Sequence, residues 1–332
     1  MAGWGRSGTD RAGPGHVARA FLALGLLTAS LVTLGACATI APPVATSPPE
    51  RPDRAAGPGA TDMASAQSRA LMRYYARVQS DLISQGLLRI DGGGPDTPFD
   101  ARTLTENFVR IALFDEYVEA GGAMVARQSA SELRRWAGPV RMDIAFGPSV
   151  PEAKRRRDSA ALDAYAARLA RVTRHPIRTV GDGANFHVLV LNEDERQGYA
   201  EDLRALVPGI GATAVRTITR MPRSTFCLVF AFSDGSSREY KRAVAVIRAE
   251  HPDLLRLSCL HEELAQGLGL ANDSPTARPS IFNDDEEFAL LTRHDEYLLR
   301  MLYDPRLAPG MDGRTAGPIA RQIAEELVGG GA

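Results

Sequence analysis

The chain has 332 residues, 44% of them hydrophobic and 24% charged, which suffices for one large domain or two modest ones with an ordinary core. Its formal net charge of −1 argues against a nucleic-acid protein, because phosphate binding needs a net basic face. G-x-S-x-G, P-loop and dinucleotide Gly fingerprints are all missing, which sets aside the chemistries those motifs carry.

The first 36 residues read as an address and not as part of the fold. Arg6, Arg11 and Arg19 precede an apolar run, Ala20 to Leu34, that is too short and too rich in small residues for a membrane span. The run ends in Leu34-Gly35-Ala36-Cys37, which resembles a bacterial lipobox. That resemblance implies cleavage before Cys37 and diacylglycerol on its sulfur. Ala38, where an Asp would favour inner-membrane retention, implies the outer membrane, with the protein facing the periplasm. A plain secretory signal with an incidental Cys37 is the alternative. Residues 37–66, rich in Pro, Ala and Gly, read as a tether that buries no core.

A helical section is expected over 67–130. Leu71, Tyr75, Val78 and Leu82 recur at helical spacing, and Gly86 ends that helix. A second helix follows, with Thr103 and Glu106 as a capping box and Leu104, Phe108, Ile111 and Val118 as its buried stripe. Gly121-Gly122 end it, and Asp115 and Glu116 beside Tyr117 read as its exposed face, with the lining of a site as the alternative.

A mixed α/β domain is expected over 131–325. Val140 to Phe146 alternates as a strand, and Ser149 to Glu152 opens a helix with Leu162, Tyr165, Leu169 and Val172 inward. The run Lys154-Arg155-Arg156-Arg157 on that helix reads as a solvated surface, with contact to an anionic polymer or lipid surface as the alternative. Phe186 to Leu191 has the unbroken apolar character of a central strand. Leu203 and Leu206 mark a short helix, and Thr225 to Phe232 and Arg242 to Ile247 are two further strands turned at Ser233-Asp234-Gly235. With Cys37 assigned to lipid, Cys227 and Cys259 remain as an even pair. An oxidising periplasm permits a disulfide between them, and two buried thiols are the alternative.

The next helix carries the most informative stretch, Cys259 to Leu270. Leu257, Leu260, Leu264 and Leu268 form its core stripe, while Glu262 and Gln266 share another face one turn apart. The frame Glu262-Glu263-x-x-Gln266-x-x-Gly269-x-x-Asn272 resembles the H-E-x-x-H-x-x-G-x-x-H of metzincin zinc peptidases, with all three imidazoles replaced. Glu263 stands where their catalytic Glu stands, and Gly269 where their helix ends. Ser280-Ile281-Phe282-Asn283 is similar to the metzincin Met-turn with Phe282 for Met, and Thr292-x-x-Asp295 through Tyr303 to their final helix. The blocks Glu262–Leu270, Asn272–Ser274, Ser280–Asp284 and Leu302–Met311 resemble those of an uncharacterised bacterial envelope family known as a domain of unknown function. The resemblance implies a zincin-like mixed sheet and no established activity.

Donor chemistry disfavours a metal. Catalytic zinc wants three His or carboxylate ligands, whereas Glu262, Gln266 and Asn272 supply one carboxylate and two amides. Hard cations are held by more anionic sets, and the i+4 partner of His261 is Ala265. His187, His251 and His294 are scattered. No metal and no cofactor is therefore expected. Glu262 and Glu263 diverge by about 100° around the helix, so a paired-carboxylate hydrolase would need Asp273, Asp284 or Asp285 as its second acid. The expectation is a non-catalytic, outer-membrane-anchored lipoprotein whose cleft binds peptide or peptidoglycan stem peptide through Glu262, Gln266, Asn272 and Asp273. The alternatives are a peptidase-like hydrolase with Glu263 as general base and an unusual Glu262/Gln266/Asn272 site or bound cation, and a purely structural envelope protein.

Overall fold

The computed structural model of the chain describes residues 64–234 and 237–329. Cys37, the signal over 1–36 and the tether up to residue 63 lie outside the described residues. The last tether positions already belong to the start of helix α1 (Ala66–Ser84). Ala64 is buried there, and the Ser65 hydroxyl accepts from the backbone N–H of Ser68 at 3.1 Å as the N-cap.

Helix α2 (Ala101–Ala112) buries Leu104, Phe108 and Ile111, as its period predicts. Its N-cap is Asp100, which accepts from Thr103 N at 2.7 Å, so Thr103 falls inside the first turn and the expected Thr103–Glu106 box gives way. The helix does not run on to Val118. Strands β1 (Phe114–Ala120) and β2 (Ala123–Ala130) form an antiparallel hairpin instead. Gly121 and Gly122, with φ of 58° and 75°, make its two-residue turn, a geometry only glycine-like residues adopt cheaply. The two glycines expected to stop a helix turn a hairpin, and Asp115 and Tyr117 belong to a strand.

The remaining strands are β3 (Arg135–Trp136), β4 (Val140–Phe146), β5 (Ile177–Thr179), β6 (Phe186–Leu191), β7 (Cys227–Ser233) and β8 (Glu239–Arg248). Five of them form a parallel path in the order β3-β8-β6-β4-β5, and β7 pairs antiparallel with β8. The fold is mixed α/β, as expected. Between them run the long α3 (Glu152–Thr173) and then α4 (Glu193–Gly198), α5 (Ala200–Leu206) and α6 (Ala212–Thr219), the last three being short helices where Leu203 and Leu206 predict one. Helices α7 (Asp253–Gln266), α8 (Arg293–Leu302) and α9 (Gly313–Gly329) complete the described chain.

Alternation along β6 and β8 builds two cores. Val188, Val190, Ala245 and Ile247 face a large core shared with α2, α3, α7, α8 and α9, while Leu189, Leu191, Val244 and Val246 face a smaller one under α5 and α6. Every residue of β6 is buried, which fits its central place. The basic run on α3 is solvated at Arg156 and Arg157, which form surface ion pairs, while Arg155 turns to the backbone. Arg155 donates to the carbonyls of Val150 and Gly147, Arg156 pairs with Glu152, and Arg157 with Asp253.

Helix α7 lays Leu260 and Leu264 into the large core, with Leu257 half-buried beside them. It ends at Gly267, two residues before the glycine expected to cap it, where the Gly267 carbonyl accepts from the Trp136 indole at 2.9 Å and a Cβ would lie 2.5 Å from the Phe186 ring. Gly269 has a different task. Its φ is 131°, and a Cβ there would lie 2.2 Å from the Arg134 carbonyl oxygen. Gly269→Ala should therefore destabilise the chain by about 2–4 kcal/mol, read as a lowered urea midpoint with intact secondary structure.

Candidate functional site

The outward end of α7 opens onto a cleft of about 510 Å³. Its floor carries Glu262, Glu263 and Gln266 from α7, followed by Ala271 and Asp273 from the loop after it. One wall is the segment Ser224–Ala231, which includes most of β7; the opposite rim is Asp284 and Glu286. Tyr117 and Met124 reach in from the β1–β2 hairpin.

Each wall has a local cause. Strand β7 lies at the edge of the sheet, with β8 as its one strand neighbour among the described residues. Cys227 at its start is disulfide-bonded to Cys259 of α7 with Cα atoms 5.9 Å apart, so strand and helix are joined across the inner end of the cleft. The acidic rim hangs from Asp295. That buried carboxylate accepts from Ser280 Oγ, from Ile281 N at 3.1 Å, and from Thr292 N and Oγ1 at 2.9 and 2.8 Å. Thr292 and Asp295 also close a reciprocal capping box on α8, as their spacing predicts. Backbone bonds from Leu88 N to Glu286 O (2.8 Å) and from Arg89 N to Glu287 O (2.7 Å) then pin the rim to the α1–α2 connection.

Four of the expected site residues line the cleft: Glu262, Glu263, Gln266 and Asp273. Gln266 Nε2 donates to Asp273 Oδ1 at 3.3 Å, joining the helix to the following loop. Asn272 does not line it. Its side chain is fully buried, donating to the Arg110 carbonyl at 2.8 Å and accepting from Gln128 Nε2 at 3.3 Å. Of the candidate second acids, Asp284 lies on the rim and Asp285 does not. Glu286 joins the rim beyond the expected residues, and its signal in the sequence is the run Asp284-Asp285-Glu286-Glu287 beside the Ser280–Asn283 block.

The donors do not fit the zinc that a metzincin-like frame implies. Asn272 is turned away and its amide committed, and Gln266 offers a neutral amide already bonded to Asp273. Among the described residues no group of three or more His, Cys, Asp or Glu is placed to hold a metal ion. His261 belongs to the core. It stacks on Tyr165 with ring centroids 3.9 Å apart, its Nδ1 accepts from Leu291 N at 3.0 Å, and burial pulls its pKa down to about 3.

Electrostatics set this cleft apart. Glu262 is only half-buried by exposed surface, yet it is densely enclosed by protein, and that enclosure raises its carboxyl well above the usual range. Glu263, Asp273, Glu286 and Asp284 push it further up. Glu286 is raised to about 7, first by burial and then by Asp284 and Asp285.

Residues 101–322 match the family described as a protein of unknown function, DUF2927. The chain belongs to that family. No curated protein and no solved structure matches the chain. The family's span begins with the first residue of α2 and ends inside α9. Every residue lining the cleft lies within it, and α1 lies outside.

Two measurements follow. Glu286 holds its proton to about pH 7 when folded against an ordinary value of 4.5, so the folded state binds more protons between those limits and stability falls as pH rises through them. Glu286→Gln should thus match wild type near pH 4 and exceed it near pH 8 by about 1–3 kcal/mol in denaturant unfolding. Replacing both Cys227 and Cys259 by Ala opens a loop whose ends are 32 residues apart, and should cost about 2–4 kcal/mol in the same assay without reductant.

Proposed function

We propose that this chain is an outer-membrane lipoprotein, anchored through Cys37 and facing the periplasm, whose zincin-like domain binds an extended peptide or cell-wall stem peptide without a catalytic metal. The observation that carries the reading is the cleft itself, in which an antiparallel edge strand runs past a helix bearing Glu262, Glu263 and Gln266. An edge strand offers a row of main-chain donors and acceptors to an extended ligand, and pockets beside it accept alternate side chains.

Further support comes from the order of elements. Strands β7 and β8 lead directly into α7, and the Ser280–Asn283 block then leads to the capped helix α8, the sequence of parts expected of a zincin-like domain. Among the described residues no helix is long and apolar enough to cross a membrane, so attachment in this reading rests on Cys37. The poor metal donor set favours binding over metal-assisted cleavage.

The test uses the full chain purified without chelators. Metals are measured by elemental analysis, and binding and cleavage of peptides and peptidoglycan fragments are compared for wild type and Glu263→Gln. Saturable binding with substoichiometric metal and no turnover is expected. Turnover abolished by Glu263→Gln in a folded protein, or stoichiometric metal, would replace the binding reading with the hydrolase.

A further inference from the structure

We infer that the cleft selects extended peptides carrying a basic side chain, with the main chain along the outer edge of β7 and the cation held between Glu262, Asp284 and Glu286. This deepens the peptide-binding reading above and rests on it.

The first ground is the open edge. All seven residues of β7 keep part of their surface exposed, whereas all six of β6 are buried. Leu228, Phe230 and Phe232 pack on the smaller core, and Cys227, Val229 and Ala231 on the larger. Both faces of β7 are therefore in use, which leaves its outer edge as the route of access. A strand of this length accommodates a peptide of about five residues at about 3.3 Å each.

The second ground is charge. Among the described residues, five carboxyl side chains line the cleft, Glu262, Glu263, Asp273, Asp284 and Glu286, and no Lys, Arg or His does. Two buried acids elsewhere in the chain are met by cations. Glu193 is held by Arg248 at 2.7 Å and by Arg196 at 2.6 Å, and Asp158 by Arg256 at 2.7 Å. The charged neighbours acting on Glu262 and Glu286 are further carboxylates instead. A cation entering between them supplies the counter-charge, and the enclosure that makes the acids costly alone makes that pairing strong.

The third ground favours a side-chain cation over a bare metal ion. The carboxyls are spread along the walls without a metal-binding group of three, and apolar surface from Phe226, Leu228, Phe230, Met124 and Tyr117 lies among them. A lysine or arginine side chain has an apolar stem for such walls and a charged head for the rim.

The experiment titrates the full chain in mild detergent with fluorescent, end-blocked alanine peptides of about five residues whose central position is Lys, Arg, norleucine or Glu. At about pH 8, the Lys and Arg peptides should bind about tenfold or more tighter than the norleucine peptide, an advantage that shrinks between about 50 and 500 mM salt. The Glu262→Gln, Glu286→Gln double variant should lose that advantage and keep its norleucine affinity. The peptide series needs no variant, so the inference stays testable even if that protein folds poorly. Norleucine binding as tightly as Lys would overturn the cation inference and leave the peptide reading standing. No binding by any peptide would overturn both. Blocked lysine alone binding as tightly as the peptide would remove the strand edge, and saturable calcium binding lost in the double variant, without peptide binding, would make this a metal site.

Discussion

Helix α7 is fixed along its inner face, at its end and from the side, and the cleft acids take their positions from it. Along the inner face Leu260 and Leu264 sink into the large core, each contributing about 1.5–3 kcal/mol of apolar burial. At the end, the Trp136 indole binds the Gly267 carbonyl, and Gly269 lets the departing chain pass against the Arg134 backbone, where no side chain fits. From the side, Cys259 is bonded to Cys227 of the edge strand. A helix held in this way cannot roll. Its remaining face must present Glu262, Glu263 and Gln266 toward β7, whatever those residues cost.

They do carry a cost. The chain shows elsewhere how it settles a buried acid. Glu193 sits between Arg196 and Arg248, and Asp295 receives donors from Ser280, Ile281 and Thr292. In the cleft, Glu262 and Glu286 are enclosed among carboxylates, and their affinities for protons rise accordingly. Like charges gathered in a partly enclosed pocket destabilise the fold above neutral pH, and such local conflict is typical of sites kept for a ligand and not for packing.

What the sequence made legible is what depends on near neighbours. The apolar run Phe186–Leu191 is a central strand because both faces of β6 are covered, and the Thr292–Asp295 spacing alone is enough to specify the cap of α8. The cleft's floor was readable for the same reason, since Glu262 and Gln266 share a face whatever the helix packs on. Other positions take their meaning from distant partners. Asn272 reads as a third ligand in the motif frame, yet the Arg110 carbonyl and Gln128 turn it inward. Glu286 becomes a rim residue through backbone bonds from the Leu88–Arg89 segment, which no local pattern announces. The hairpin was lost because Gly-Gly serves equally to end a helix or to turn two strands, and only the pairing partner decides.

Asn272 also explains how the cleft keeps its roof. Its backbone N–H donates to the Ile111 carbonyl and its amide to that of Arg110, so the loop after α7 is tied to the last turn of α2. Gln128 of β2 in turn donates to Asn272 Oδ1 and to the Asp273 carbonyl at 3.2 Å. The hairpin is thereby attached to the same two residues that lead into the cleft floor, while Thr213 of α6 donates to Glu119 at its other end at 2.7 Å. Tyr117 and Met124 line the cleft from a hairpin that this buried amide ties to the loop carrying Asp273. Asn272 thus couples two walls of the cleft through bonds that a ligand role in the motif frame would not have required.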